Sequence, residues 1–140
     1  MPSQHILLPY NGLPREMLAL QAACDLAKAR RAKLSVVCLV ETSLSLSIDA
    51  PDIPGVAEAN RALDEAEAIA AKRGVRVSAS VYPCRDAGHA IVTLCARLGC
   101  SHIIMEIGDT LREGTPPLSS DVEHVLANAP CEVWISRIAE

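Results

Sequence analysis

Between an apolar run at residues 102–106 and an amphipathic stretch at residues 121–128 the chain carries GDTLREGTPPLSSDVEHVL, which starts at Gly108. A connection of this kind, from strand to helix, is where α/β proteins hold nucleotide phosphates. Backbone N–H groups and the positive end of the helix dipole converge there on an anion. Ser119 and Ser120 stand at the helix start, where a hydroxyl caps the helix or holds an anion. Gly108 and Gly114 offer turns, and Asn11, in the Asn11-Gly12 turn signal after the first apolar run, adds a hydrogen-bonding side chain at a strand end.

Other chemistries fit less well. Ser120, Asp121 and His124 have the residue types of a hydrolase triad, but Ser120 and His124 are neighbours on one helix and no G-x-S-x-G is present. Cys84, His89 and Cys95, or Cys95, Cys100 and His102, lack the paired ligand spacing of a zinc site. Cys84, just before a helix start, reads either as a thiol whose pKa the helix lowers or as a strand-end core residue. No G-x-x-x-x-G-K-[ST] or G-x-G-x-x-G occurs. Arg30 and Arg31 read as a solvated helix end.

The elements that position these groups follow from hydrophobic patterning. HILLPY (5–10) is a buried strand, and Pro14 opens a helix with Met17, Leu20, Cys24 and Ala27 on one face. KLSVVCLV (33–40) is a strand covered on both faces. Residues 41–55 form a long connection in which Leu44, Leu46 and Ile48 suit a flap. Residues 56–73 form a helix with Ala62, Leu63, Ala66 and Ile69 inward and Gly74 closing it. VRVSASVYP (75–83) alternates as an edge strand with one wet face. Asp86 caps a helix with Ile91, Leu94, Cys95 and Leu98 buried and Gly99 as its terminator. HIIME (102–106) is a strand, residues 121–128 a helix with Val122, Val125 and Leu126 buried, and CEVWISR the last strand. Strands alternating with helices and no hairpin signal imply an α/β fold with a parallel sheet and helices on both faces. Ligands then bind beyond the carboxyl ends of the strands, where strand order reverses.

The 140 residues predict a single domain, 1–140; 50% are hydrophobic and 21% charged, and the net charge of −4 argues against a nucleic-acid partner. Six scattered cysteines without a C-x-x-C read as reduced core residues, and 2% aromatic content disfavours a stacking platform. No apolar run approaches the ~20 residues that span a bilayer, and MPSQHILLPY lacks signal-peptide character, so no membrane insertion and a cytoplasmic location are expected.

ILLPYNG, RDAGHAIVTLCARLGCSHIIM and VLANAPCEVWISR together make the chain resemble the universal stress protein family over nearly its whole length. VETSLSLSIDAPDIP is similar to the connection in versions fused to amino-acid permeases. The resemblance implies a five-stranded sheet in the order 3-2-1-4-5, in a three-layer domain of the kind also found in adenine nucleotide alpha hydrolases. It also implies a homodimer through the last strand, from Cys131 to Arg137. On that strand Glu132, Trp134 and Ser136 share a face, so Trp134 sits either in an interface or under a helix.

Nucleotide-binding members carry G-x-x-G-x9-G-[ST] directly after a position often held by Met. Anchored on Met105, the motif falls on Glu106, Asp109, Ser119 and Ser120. The spacing is kept and the three glycines are not, which disfavours ATP, because glycines let the backbone approach phosphate and a misplaced carboxylate repels it. Pro9 matches the family's proline, and Asn11 stands where ATP-binding members have Asp. The resemblance therefore implies a regulatory or interaction module of the stress response with a degenerate ATP motif, and no catalytic residue is assigned. One alternative is an adenine-nucleotide sensor or slow ATPase using Pro9, Asn11, Leu39, Val40, Ser119 and Ser120. Another is a cytosolic module that controls an amino-acid transporter.

Overall fold

The computed structural model describes residues 4–42, 53–107 and 118–137. Five strands, β1 (His5–Pro9), β2 (Lys33–Glu41), β3 (Val77–Cys84), β4 (His102–Glu106) and β5 (Glu132–Ser136), form one sheet in the order β3-β2-β1-β4-β5. Every pairing is parallel. Parallel neighbours need crossovers, and four helices supply them: α1 (Met17–Arg30), α2 (Val56–Lys72), α3 (Ala87–Leu98) and α4 (Ser120–Asn128), with a 3₁₀ turn over Pro14–Glu16 before α1. Sequence and structure agree on element types and order; boundaries move by one or two residues.

The sheet is buried on both faces in its centre. Ile6, Leu8, Leu34 and Val36 pack on one face against Ala19, Ala23, Ala27, Ala62, Ala66 and Ala70 of α1 and α2. Leu7, Val37, Ile103 and Met105 pack on the other against Ile91, Leu94, Val122 and Val125 of α3 and α4. A core without Phe fills its volume by bringing alanine-faced helices close to the sheet. β3 lies at an edge, and its exposed Ser78 and Ser80 alternate with half-buried Val77, Ala79 and Val81, as expected of a strand with one wet face.

Two residues expected in buried stripes are not buried. Leu98 is 41% exposed and Leu126 is 46% exposed. Leu98 is the last residue of α3, and Leu126 lies in the last turn of α4, so helical periodicity continues where the covering partner does not. Arg30 is not simply solvated: its Nη1 lies 3.1 Å from His102 Nε2, and its guanidinium sits 5.5 Å from the centre of the Trp134 ring. The flap residues Leu44, Leu46 and Ile48, and the loop residues Gly108, Asp109 and Gly114, lie outside the described residues.

β1 and β4 are neighbours in the sheet centre, and their crossovers depart to opposite faces, which places the topological switch point between their carboxyl ends. The turn after β1 depends on Gly12. Its φ is +81°, and an added Cβ would stand 2.9 Å from the Ala62 Cβ of α2. Gly12→Ala is therefore expected to destabilise the protein by an amount on the order of 1–3 kcal/mol, read as a lower urea midpoint with an unchanged m-value.

Candidate functional site

A cleft of about 460 Å³ opens at the switch point, lined by Pro9, Asn11, Arg15 and Glu16 after β1, Leu39 and Glu41 from β2, and Met105 and Glu106 from β4. Ala87 and Ile91 of α3, with Ser119, Asp121 and Val122 at the start of α4, complete the wall. Of the residues singled out from the sequence, Pro9, Asn11, Leu39, Met105, Glu106 and Ser119 meet here. Val40 points into the core beside Ile53 instead, and Ser120 is exposed as the first residue of α4.

Among the described residues the ionisable lining is four carboxylates, Glu16, Glu41, Glu106 and Asp121, against one cation, Arg15. Each carboxylate binds a group of the protein itself. Glu16, 7% exposed, accepts from the backbone N–H groups of Asn11 and Leu13, both at 2.9 Å. This is the returning half of a capping box, and it fixes the turn that presents Asn11. Glu41 Oε1 accepts from Ala87 N at 3.0 Å, Asp121 Oδ1 from Gly88 N at 3.2 Å, and Asp86 Oδ1 from His89 N at 3.1 Å. Three successive amide donors at the α3 N-terminus are thus taken by carboxylates from β2, α4 and the helix's own cap. The contact with α4 needs Gly88, where a Cβ would come within 3.1 Å of the Asp121 Cα.

Glu106 has a side chain only 2% exposed, and its Oε2 lies 3.2 Å from Nε of Arg15, whose side chain is 55% exposed. A buried carboxylate without a counter-charge costs several kcal/mol, and Arg15 supplies a counter-charge to Glu106. At the opposite wall Ser119 is the N-cap of α4, its Oγ accepting from Val122 N at 3.3 Å. Asn11 Oδ1 accepts a weak contact from Cys38 Sγ at 3.6 Å, and Asn11 stays exposed toward the cleft.

No His, Lys or Cys lines this cleft among the described residues. His124 lies in α4, its Nδ1 3.4 Å from Asn128 Nδ2, and His124 does not line the cleft, so Ser120, Asp121 and His124 form no site there. Among the described residues no three His, Cys, Asp or Glu side chains are placed to hold a metal. The Cys84 thiol, expected as one alternative to be acidified by α3, is instead pushed up by burial and by the nearby Glu41, Asp86 and Asp121 carboxylates. Sequence reading missed Arg15, Glu16 and Glu41 and weighed Asp121 only as a member of a hydrolase triad; the one available signal was Glu16 at the third position after Leu13 in a Pro-initiated turn.

Fold and cleft together define a Rossmann-like α/β protein with a ligand-sized crevice at the switch point. The model of the universal stress protein family matches residues 2–137, and the chain belongs to that family. It is similar to a universal stress family protein of Burkholderia pseudomallei, at 26% identity over 95% of each chain with a TM-score of 0.73. It shares its fold with the universal stress protein UspA of Lactobacillus plantarum, at 17% identity over 98% of this chain and 99% of that one with a TM-score of 0.77. It also shares its fold with a universal stress protein of Archaeoglobus fulgidus in complex with dAMP, at 18% identity over 96% and 97% of the two chains with a TM-score of 0.73. No curated protein sequence matches the chain at a significant level.

Glu16→Ala leaves the Asn11 and Leu13 amides without their acceptor and is expected to cost about 1–3 kcal/mol of stability in denaturant unfolding. Glu16→Gln keeps one carbonyl oxygen for them and is expected to cost less than half as much. Equal losses for the two variants would show that the two hydrogen bonds do not hold the turn.

Proposed function

We propose that this universal stress protein is a regulatory or interaction module whose switch-point cleft has given up the phosphate half of nucleotide recognition. The Arg15–Glu106 ion pair carries the reading. Among the described residues the one cation lining the cleft is neutralised by a buried carboxylate at the first position of the family's glycine motif. Two unit charges ~4 Å apart at an effective dielectric near 20 interact by ~4 kcal/mol, more than a few phosphate hydrogen bonds return. With the α3 amides also occupied, a polyphosphate meets carboxylates where it needs donors.

A second reading, an adenine-nucleotide sensor, is favoured by Pro9, Asn11 and Leu39 sharing the cleft and by the dAMP bound to the Archaeoglobus fulgidus relative. It requires Arg15 to leave Glu106. Calorimetric titration separates the two. The leading reading expects MgATP and dAMP to bind with Kd weaker than ~1 mM, under about 4 kcal/mol. Stoichiometric micromolar binding would establish the sensor. Glu106→Gly, which removes the buried carboxylate and frees Arg15, is expected to strengthen MgATP binding at least tenfold, about 1.4 kcal/mol.

The module is proposed to act as a homodimer joined through β5. β5 is an outer strand of five residues, with Trp134 39% and Ile135 38% exposed. Trp134 is held in place for contact: its Nε1 donates to Glu132 at 3.1 Å, the His102 ring meets it edge-on at 5.6 Å, and Arg30 lies over its face. An exposed, unpaired strand edge recruits a second strand, and a fixed aromatic anchors the contact. Trp134→Glu is expected to shift the protein to monomer in sedimentation velocity while leaving its far-UV circular dichroism unchanged. A wild-type protein that sediments as a monomer at all concentrations would rule the dimer out.

A further inference from the structure

Cys95 of α3 and Cys131 at the entry to β5, far apart in sequence, belong to the same side of the sheet. Their Sγ atoms lie 3.2 Å apart, about 1.2 Å more than a disulfide bond length. Both backbones are fixed by neighbouring structure. Cys100 N donates to the carbonyl of Cys95 at 3.0 Å, and Glu132 N donates to the carbonyl of Ser101 at 3.3 Å. The remaining gap is small enough for two side chains to close without moving the sheet. Access is unequal: Cys95 is 1% exposed, whereas Cys131 is half-buried and the other five cysteines are buried.

We propose that Cys95 and Cys131 are a modification site, joined into an intramolecular disulfide by an oxidant of the peroxide class. The Cys131 thiolate attacks one peroxide oxygen and the O–O bond breaks; with a proton taken up, this yields a Cys131 sulfenic acid and one water. The Cys95 sulfur then attacks the Cys131 sulfur, the S–O bond breaks, and hydroxide leaves with the Cys95 proton as a second water. Two thiols and one hydrogen peroxide become one disulfide and two waters, two electrons passing from sulfur to oxygen. The bridge closes a loop that contains β4, α4 and the cleft residues Met105, Glu106, Ser119 and Asp121. It therefore ties α3 to β5 around one wall of the cleft.

The surroundings set the pace. Burial, reinforced by Cys95 and Glu132, pushes the Cys131 thiol up to about 12, and burial and Cys131 push Cys100 up to about 11. Burial raises Cys95 as well. Cys95 from α3 and Glu132 from β5 thus both act on the Cys131 thiolate, and Cys131 in turn acts on Cys100 in the turn before β4. The Cys131 thiolate is scarce at neutral pH, so bridge formation is slow there and accelerates roughly tenfold per pH unit through the mildly alkaline range.

The test is peroxide treatment of the folded, reductant-free chain at neutral and mildly alkaline pH, followed by free-thiol counting, intact mass and non-reducing peptide mapping. Expected are the loss of two of the six free thiols, a mass lower by about 2 Da with no change in chain number, and a linked pair of peptides containing Cys95 and Cys131. Cys131→Ala, at a half-buried position that tolerates truncation, and Cys95→Ala each abolish the link, while Cys100→Ala keeps it. Six free thiols after treatment, a sulfinic acid on Cys131 without a bridge, or a link through Cys100 or between chains would overturn the assignment.

Discussion

The carboxylate of Glu106 is the constraint around which the cleft is built. With its side chain 2% exposed, it takes a counter-charge from Arg15, which reaches it from the 3₁₀ turn. That reach depends on the path of the chain after β1, which Gly12 makes possible through its positive φ and its close approach to Ala62. Glu16 then fixes the same turn by accepting from two of its amides. One buried charge at the end of β4 therefore sets requirements on the turn, the 3₁₀ segment and the packing of α2.

The far wall follows the same logic. An N-terminal helix end offers donors to whichever negative group arrives first, and at α3 those groups belong to the protein. Glu41 ties the end of β2 to α3, and Asp121 ties the start of α4 to α3 across Gly88. These α3 amide donors lock the elements around the crevice together. The family's fold and switch point are kept, and four carboxylates line the described part of the pocket.

The fold was legible because its signals are local. The continuous apolar runs at Ile6–Leu8 and Val36–Val37 announced strands covered on both faces, and Ala-rich stripes announced helices that pack closely. Leu98 and Leu126 were misread because periodicity records which side of a helix is apolar and not where the covering element stops. The cleft was legible only where it coincides with strand ends or the family motif, at Pro9, Asn11, Leu39, Met105, Glu106 and Ser119. Arg15 and Glu41 look like ordinary solvated residues in sequence, and Asp121 like a member of a triad, because their partners are backbone amides or charges brought close only by the crossovers. Trp134 was left between an interface and a place under a helix; as a residue 39% exposed, with its ring contacted by Arg30 and His102, it is only partly covered within one chain.

The central claim is that the protein's own carboxylates occupy the phosphate end of the crevice. A crystal structure grown with excess MgATP tests it most directly. The account predicts no phosphate density between Arg15 and Ser119, with Arg15 Nε still about 3.2 Å from Glu106 Oε2. Phosphate oxygens within hydrogen-bond distance of Ser119 and the α4 N-terminus, with Arg15 turned from Glu106 onto the nucleotide, would contradict it.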